Sequence, residues 1–170
     1  MTLKLSNYSN GNVDLFYSYD IKEEHELFTT NDLETVSSKI LNNFLEISPE
    51  YGSLVSTYAK KNGLERIAIL FAQGRKIKDT WYYFNGEKGS PVQEWIDKLD
   101  GKYKVLILSS CNPDKDEINS QKSPILMLND EYSAAFFKIN LVDTKLFVPK
   151  IGYFNFYHPK PKEEIKEAED

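Results

Sequence analysis

The residues able to do chemistry gather in one stretch, "KVLILSSCNPDKDE", where an apolar run from Val105 to Leu108 gives way to Ser109, Ser110, Cys111 and Asn112. Cys111 is the chain's only cysteine. A thiol at the end of a buried strand has two readings. It can be a small buried hydrophobe, the usual fate of an unpaired cysteine, or a nucleophile working through its thiolate. The second reading needs an electropositive or basic neighbour, because a free thiol with a pKa of about 8.5 is only a few per cent ionised at pH 7. A second apolar run, "RIAILFAQG", delivers Gln73 and Gly74 as the natural neighbours. Glutamine is no base, since its amide has no lone pair basic enough to take a proton at useful pH. The two histidines, His25 in "KEEHE" and His158 after "YFNFY", read as a solvated side chain and a strand-end residue. Pro113 lacks a backbone N–H, so one potential oxyanion donor beside Cys111 is missing.

Other chemistries lack their residues. There is no G-x-x-x-x-G-K-[ST] or G-x-G-x-x-G loop for phosphates, and no arginine follows Cys111 as a phosphate-binding cysteine loop requires. No C-x-x-C or H-x-x-x-H spacing is present, so a zinc site has no ligand set. Asp114, Asp116 and Glu117 are acidic neighbours, but a calcium loop needs more oxygen ligands at fixed spacing, and a solvated turn is the expectation. No metal and no cofactor is expected.

The elements that must position Gln73 and Cys111 follow from periodicity. "VDLFYSY", Val13 to Tyr19, alternates and reads as a first strand. Leu33, Val36, Ile40, Leu41, Phe44 and Leu45 share one helical face behind the capping pair Asn31 and Glu34. "SPEY", from Ser48, stops that helix and starts another, closed by Gly63. Arg66 to Phe71 is apolar without alternation, the pattern of a strand covered on both faces, and it is expected to end at Ala72-Gln73-Gly74. "DTWYYFNG" predicts a hairpin turning at Asn85-Gly86. Ser90-Pro91-Val92-Gln93 reads as a capping box opening a helix with the stripe Val92, Trp95, Ile96, Leu99, ended by Gly101. The strand Lys104 to Ser109 follows, then "ILML" after Ser123-Pro124, a helical spacing in "DEYSAAFFKI", and two β segments in "KLFVPKIGYFNFY" with a turn near Pro149 to Gly152.

Strand, helix, strand in repetition calls for right-handed crossovers and a mostly parallel sheet with helices on both faces. The expected class is α/β, a three-layer sandwich with β additions at the C-terminal edge. In such sheets ligands bind beyond the carboxyl ends of the strands, which is where Gln73, Gly74, Ser109, Ser110, Cys111 and Asn112 would meet.

The order "ILFAQG", "WYYFNGEKGSPVQEWIDKL", "KVLILSSC" resembles the caspase-like cysteine peptidases and their caspase-HetF-associated-with-TPR (CHAT-like) relatives, over residues 66 to 111. Those families pair a strand ending in His-Gly with a later strand ending in Cys. The resemblance implies a caspase-like fold, with a flavodoxin-like (Rossmannoid) sheet as the alternative, and places Cys111 at the nucleophile's position and Gln73 at the base's. The family's usual glycine after the cysteine is replaced by Asn112-Pro113. The resulting expectation is a caspase-like domain without peptidase activity, a binding or scaffold module. The alternatives are a cysteine hydrolase using Cys111 with a rearranged base (His25 or His158), and a small-molecule sensor with its pocket at the strand ends.

Length and composition set the remaining bounds. The chain has 170 residues, 41% hydrophobic and 14% aromatic, with a net charge of −5. These values fit one globular domain, 1–158, followed by a charged tail, 159–170, with the composition of disorder. A mildly acidic chain has no long-range attraction for phosphate backbones. Its basic clusters, Lys60-Lys61 and Arg75-Lys76-Ile77-Lys78, read as solvated faces. No apolar run approaches the roughly 18 residues of a membrane span. One cysteine and no apolar leader segment point to a soluble, cytoplasmic protein. The expected partner is a protein or a small molecule, without nucleic acid or membrane.

Overall fold

The structure, a computed structural model, describes residues 3–9, 11, 13–18, 49–110, 118–127 and 144–156. The helix expected from Asn31, the helical spacing in "DEYSAAFFKI" and the charged tail lie outside them. Nine strands and two helices are described in the order β1 Ser6–Ser9, β2 Val13–Tyr17, α1 Pro49–Lys61, β3 Ile67–Ile77, β4 Thr80–Asn85, β5 Lys88–Pro91, α2 Val92–Leu99, β6 Val105–Ser110, β7 Ile125–Met127, β8 Thr144–Val148 and β9 Gly152–Phe156. The class is α/β, with a mixed sheet that strands dominate.

The sheet runs β1-β2-β3-β6-β7-β8-β9. Its centre, β2-β3-β6-β7, is parallel, and both edges are antiparallel. Parallel strands suit this sequence because β3 and β6 carry apolar side chains on both faces. Ala68, Ile69, Leu70, Phe71, Leu106, Ile107 and Leu108 are all buried, so neither face of these strands could be left to water. The alternate residues Ala68, Leu70, Ala72, Leu106 and Leu108 join the α2 stripe Val92, Trp95, Ile96 and Leu99 in one core with Ile125 and Met127. As expected, the C-terminal segments add β8 and β9 beyond β7, turning through Lys150 and Gly152 at positive φ (68° and 120°). Among the described residues no helix is long and apolar enough to cross a membrane.

Helix α1 begins on a proline, whose missing N–H costs nothing in the first turn, and carries Glu50 in that turn and Lys60 and Lys61 in the last. It closes in a Schellman arrangement. Leu64 N–H reaches Ala59 O at 2.9 Å and Gly63 N–H reaches Lys60 O at 3.2 Å, with Gly63 at φ 67°. This is the left-handed position that favours glycine.

Three expectations need correction. The first strand stops at Tyr17, and the polar segment Ser6–Ser9 pairs antiparallel with it as an additional edge strand. The Ser90 capping box does not form. Pro91 occupies the cap position of α2 without a side-chain cap bond, because the Ser90 hydroxyl accepts the Leu3 N–H at 3.1 Å. Most consequentially, β3 does not end at Ala72-Gln73-Gly74. It continues to Ile77 and folds back on β4 through Lys78-Asp79. Both turn residues have positive φ, 49° and 68°, the signature of the I′ turn whose twist matches a hairpin. The hairpin expected at Asn85-Gly86 is present. Asn85 pairs with Lys88, and Gly86 holds φ 68° at the first loop position.

Candidate functional site

The lower, N-terminal edge of the parallel strands carries a closed polar network. Asp14 in β2 is 6% exposed. One of its oxygens accepts from Arg66 Nη2 at 2.5 Å, and the other accepts the Tyr103 hydroxyl. Arg66 Nε also donates to Gly11 O at 3.1 Å, and its guanidinium lies 5.6 Å from the Tyr103 ring centre. Burial, then the hydrogen bond to Asp14, push the Tyr103 hydroxyl pKa well above its ordinary value of 10, since an ionised phenol there would face the carboxylate. A second carboxylate, Asp100 after α2, accepts the backbone N–H groups of Gln121, Lys122 and Ser123 at 2.6, 2.9 and 2.8 Å. It fixes the segment entering β7.

The upper, C-terminal edge is the one that sequence reasoning selected. The β3–β6 ladder ends on the pair Ala72↔Ser110. The residues immediately before Gln73 and Cys111 are therefore strand partners, as the expectation of adjacent parallel strands requires. Ser109 pairs with Phe71 in the same ladder. Cys111, Asn112, Pro113, Asp114, Asp116, Glu117, His25 and His158 lie outside the described residues. Gln73 N–H donates to the Ser18 hydroxyl at 3.1 Å, and Ser18 N–H donates to Phe71 O at 3.2 Å. Buried Ser18, at the end of β2, thus anchors the backbone at Gln73.

Above Ala72 the ladder partner of β3 is β4. Gln73 faces Phe84, Gly74 faces Tyr83 and Arg75 faces Tyr82. Strand alternation sends Gly74 to the buried face and leaves Gln73, Arg75 and Ile77 exposed on the other. That exposed face holds a cleft of about 180 Å³ lined by Gln73, Gly74, Arg75, Phe84 and Gly86. Its floor is the Phe84 ring, which stacks on Tyr82 at 6.1 Å. The ring lies so close over Gly89 that a Cβ there would sit 2.5 Å from Phe84 Cε1. The Arg75 guanidinium lies 4.0 Å from the centre of the same ring.

The structure thus brings Gln73 and Gly74 into a lined cleft and adds three residues that the sequence reading passed over. The sequence alone puts Arg75 in a solvated basic cluster, Phe84 in a hairpin and Ser18 in the first strand. The one sequence signal was the spacing of Gln73 and Arg75, two apart and so on one face if the strand continued. Among the described residues no group of three or more His, Cys, Asp or Glu side chains is placed to hold a metal ion. No family model, curated protein or solved structure matches the chain.

Proposed function

We propose that this chain is a three-layer, caspase-like α/β domain that lacks peptidase activity and serves as a binding or scaffold module. The observation that carries the reading is Gln73. It follows directly on the last β3–β6 pair, Ala72↔Ser110, in register with the strand that leads to Cys111, and it offers an amide where a cysteine peptidase needs an imidazole. An amide cannot lower a thiol pKa by taking its proton. Cys111 therefore keeps the reactivity of an ordinary thiol. Gln73 itself is exposed and lines a cleft, which suits a residue that binds.

The test is the pH dependence of Cys111 alkylation by iodoacetamide, run beside an activity-based cysteine probe and a peptide library. Alkylation should follow an unperturbed thiol, with a midpoint near about 8.5, and no probe or peptide signal should depend on Cys111. A midpoint well below 7, or turnover abolished by Cys111→Ala, would overturn the proposal in favour of a hydrolase with a rearranged base.

A further inference from the structure

We infer that the cleft between β3 and β4 is a binding site for a small, amino-acid-sized carboxylate, held by the guanidinium of Arg75 stacked on Phe84. This deepens the reading of a non-catalytic binding module and rests on it. Arg75 is the one charged side chain among the residues that line the cleft. Among the described residues it has no acid within ion-pair distance. Arg75 is spent instead on an aromatic ring at 4.0 Å. A guanidinium resting over a ring face can still donate from its N–H edge, the fork geometry that matches a carboxylate with two parallel hydrogen bonds.

The platform beneath it is fixed. Phe84 is 8% exposed, and the Gly89 backbone leaves no room for a side chain under the ring. Gln73 stands on the same face, two residues before Arg75, and supplies both an amide donor and an acceptor for a second polar group of the ligand. Arg75 supplies the positive charge of that lining. A cleft of about 180 Å³ has room for a short dicarboxylate or an amino acid.

The experiment is a titration of the full chain with glutarate, followed by backbone amide shifts in two-dimensional NMR. Glutaramide and inorganic phosphate serve as comparison ligands. Glutarate should shift the amides of Gln73 to Ile77 and Tyr82 to Gly86, with Kd of about 1 mM or tighter, as expected of so few ligand atoms. Arg75→Gln and Arg75→Lys should each weaken it at least about tenfold, the first by losing the charge and the second by losing the planar fork. The titration reads Arg75 and not the thiol, so its outcome is independent of the Cys111 alkylation test. The inference is overturned if glutarate shifts nothing at these residues, if glutaramide or phosphate binds as tightly, or if the Arg75→Lys protein keeps full affinity.

Discussion

The two ends of the parallel strands treat their charged groups in opposite ways. At the lower edge Asp14 is buried and saturated by Arg66 and Tyr103, and Asp100 is saturated by three backbone N–H groups. At the upper edge Arg75 sits on an aromatic ring with no acid among the described residues, beside an exposed amide. A buried charge left without partners costs several kcal/mol, whereas a partly exposed one costs little. The lower edge is therefore built for stability. Among the described residues, the upper edge keeps hydrogen-bonding capacity that no neighbour consumes, the physical condition for binding something else.

Substitutions sharpen that contrast. Asp14→Ala removes the shared acceptor of Arg66 and Tyr103 and strands a buried hydroxyl; urea denaturation should show a loss of about 3 kcal/mol. Asp100→Ala releases the three N–H groups ahead of β7, two of them at solvent-exposed positions, and should cost about 2 kcal/mol in the same assay. Alkaline pH probes the lower edge again. The Tyr103 pKa is raised in the folded state, so its contribution is fully present below the unfolded value of about 10. Above that pH the unfolded chain loses this proton while the folded chain keeps it, and stability falls by at most about 1.4 kcal/mol per pH unit. Tyr103→Phe should remove that part of the alkaline slope. The smallest effect belongs to the upper edge. Arg75→Ala should change stability by less than about 1 kcal/mol, the worth of an exposed cation–π contact. A loss as large as that of Asp14→Ala would erase the distinction between the two edges.

Much of the frame was legible because local and global preferences agree. The runs "RIAILF" and "KVLIL" could only be strands buried on both faces, and their placement side by side followed from one crossover helix. Gly63, Gly86 and Gly101 each marked a left-handed position that the structure uses. What escaped depended on distant partners. "GRKI" looks like a loop because its outward face is polar, and only pairing with β4 makes it strand. Ser90 has the right spacing for a cap, but its hydroxyl goes to Leu3, 87 positions away. The Arg75–Phe84 contact arises from a diagonal across two strands joined by a left-handed turn at Lys78-Asp79, and neither residue type reveals it alone. Gln73 was found because it ends the apolar run, Arg75 missed because it stands two residues past that end.

The continuity of β3 has a consequence for how the cleft tolerates change. One strand of 11 residues spans the core and the rim, and side chains along it alternate faces. One residue inserted between Phe71 and Gln73 would turn Gln73 and Arg75 toward the side where Trp81 and Tyr83 are buried, because a slip of one position exchanges the two faces. Point substitutions at Arg75 are cheap, yet a single-codon insertion upstream would dismantle the cleft while leaving every one of its residues in the sequence. Length, more than identity, is the variable this rim cannot absorb.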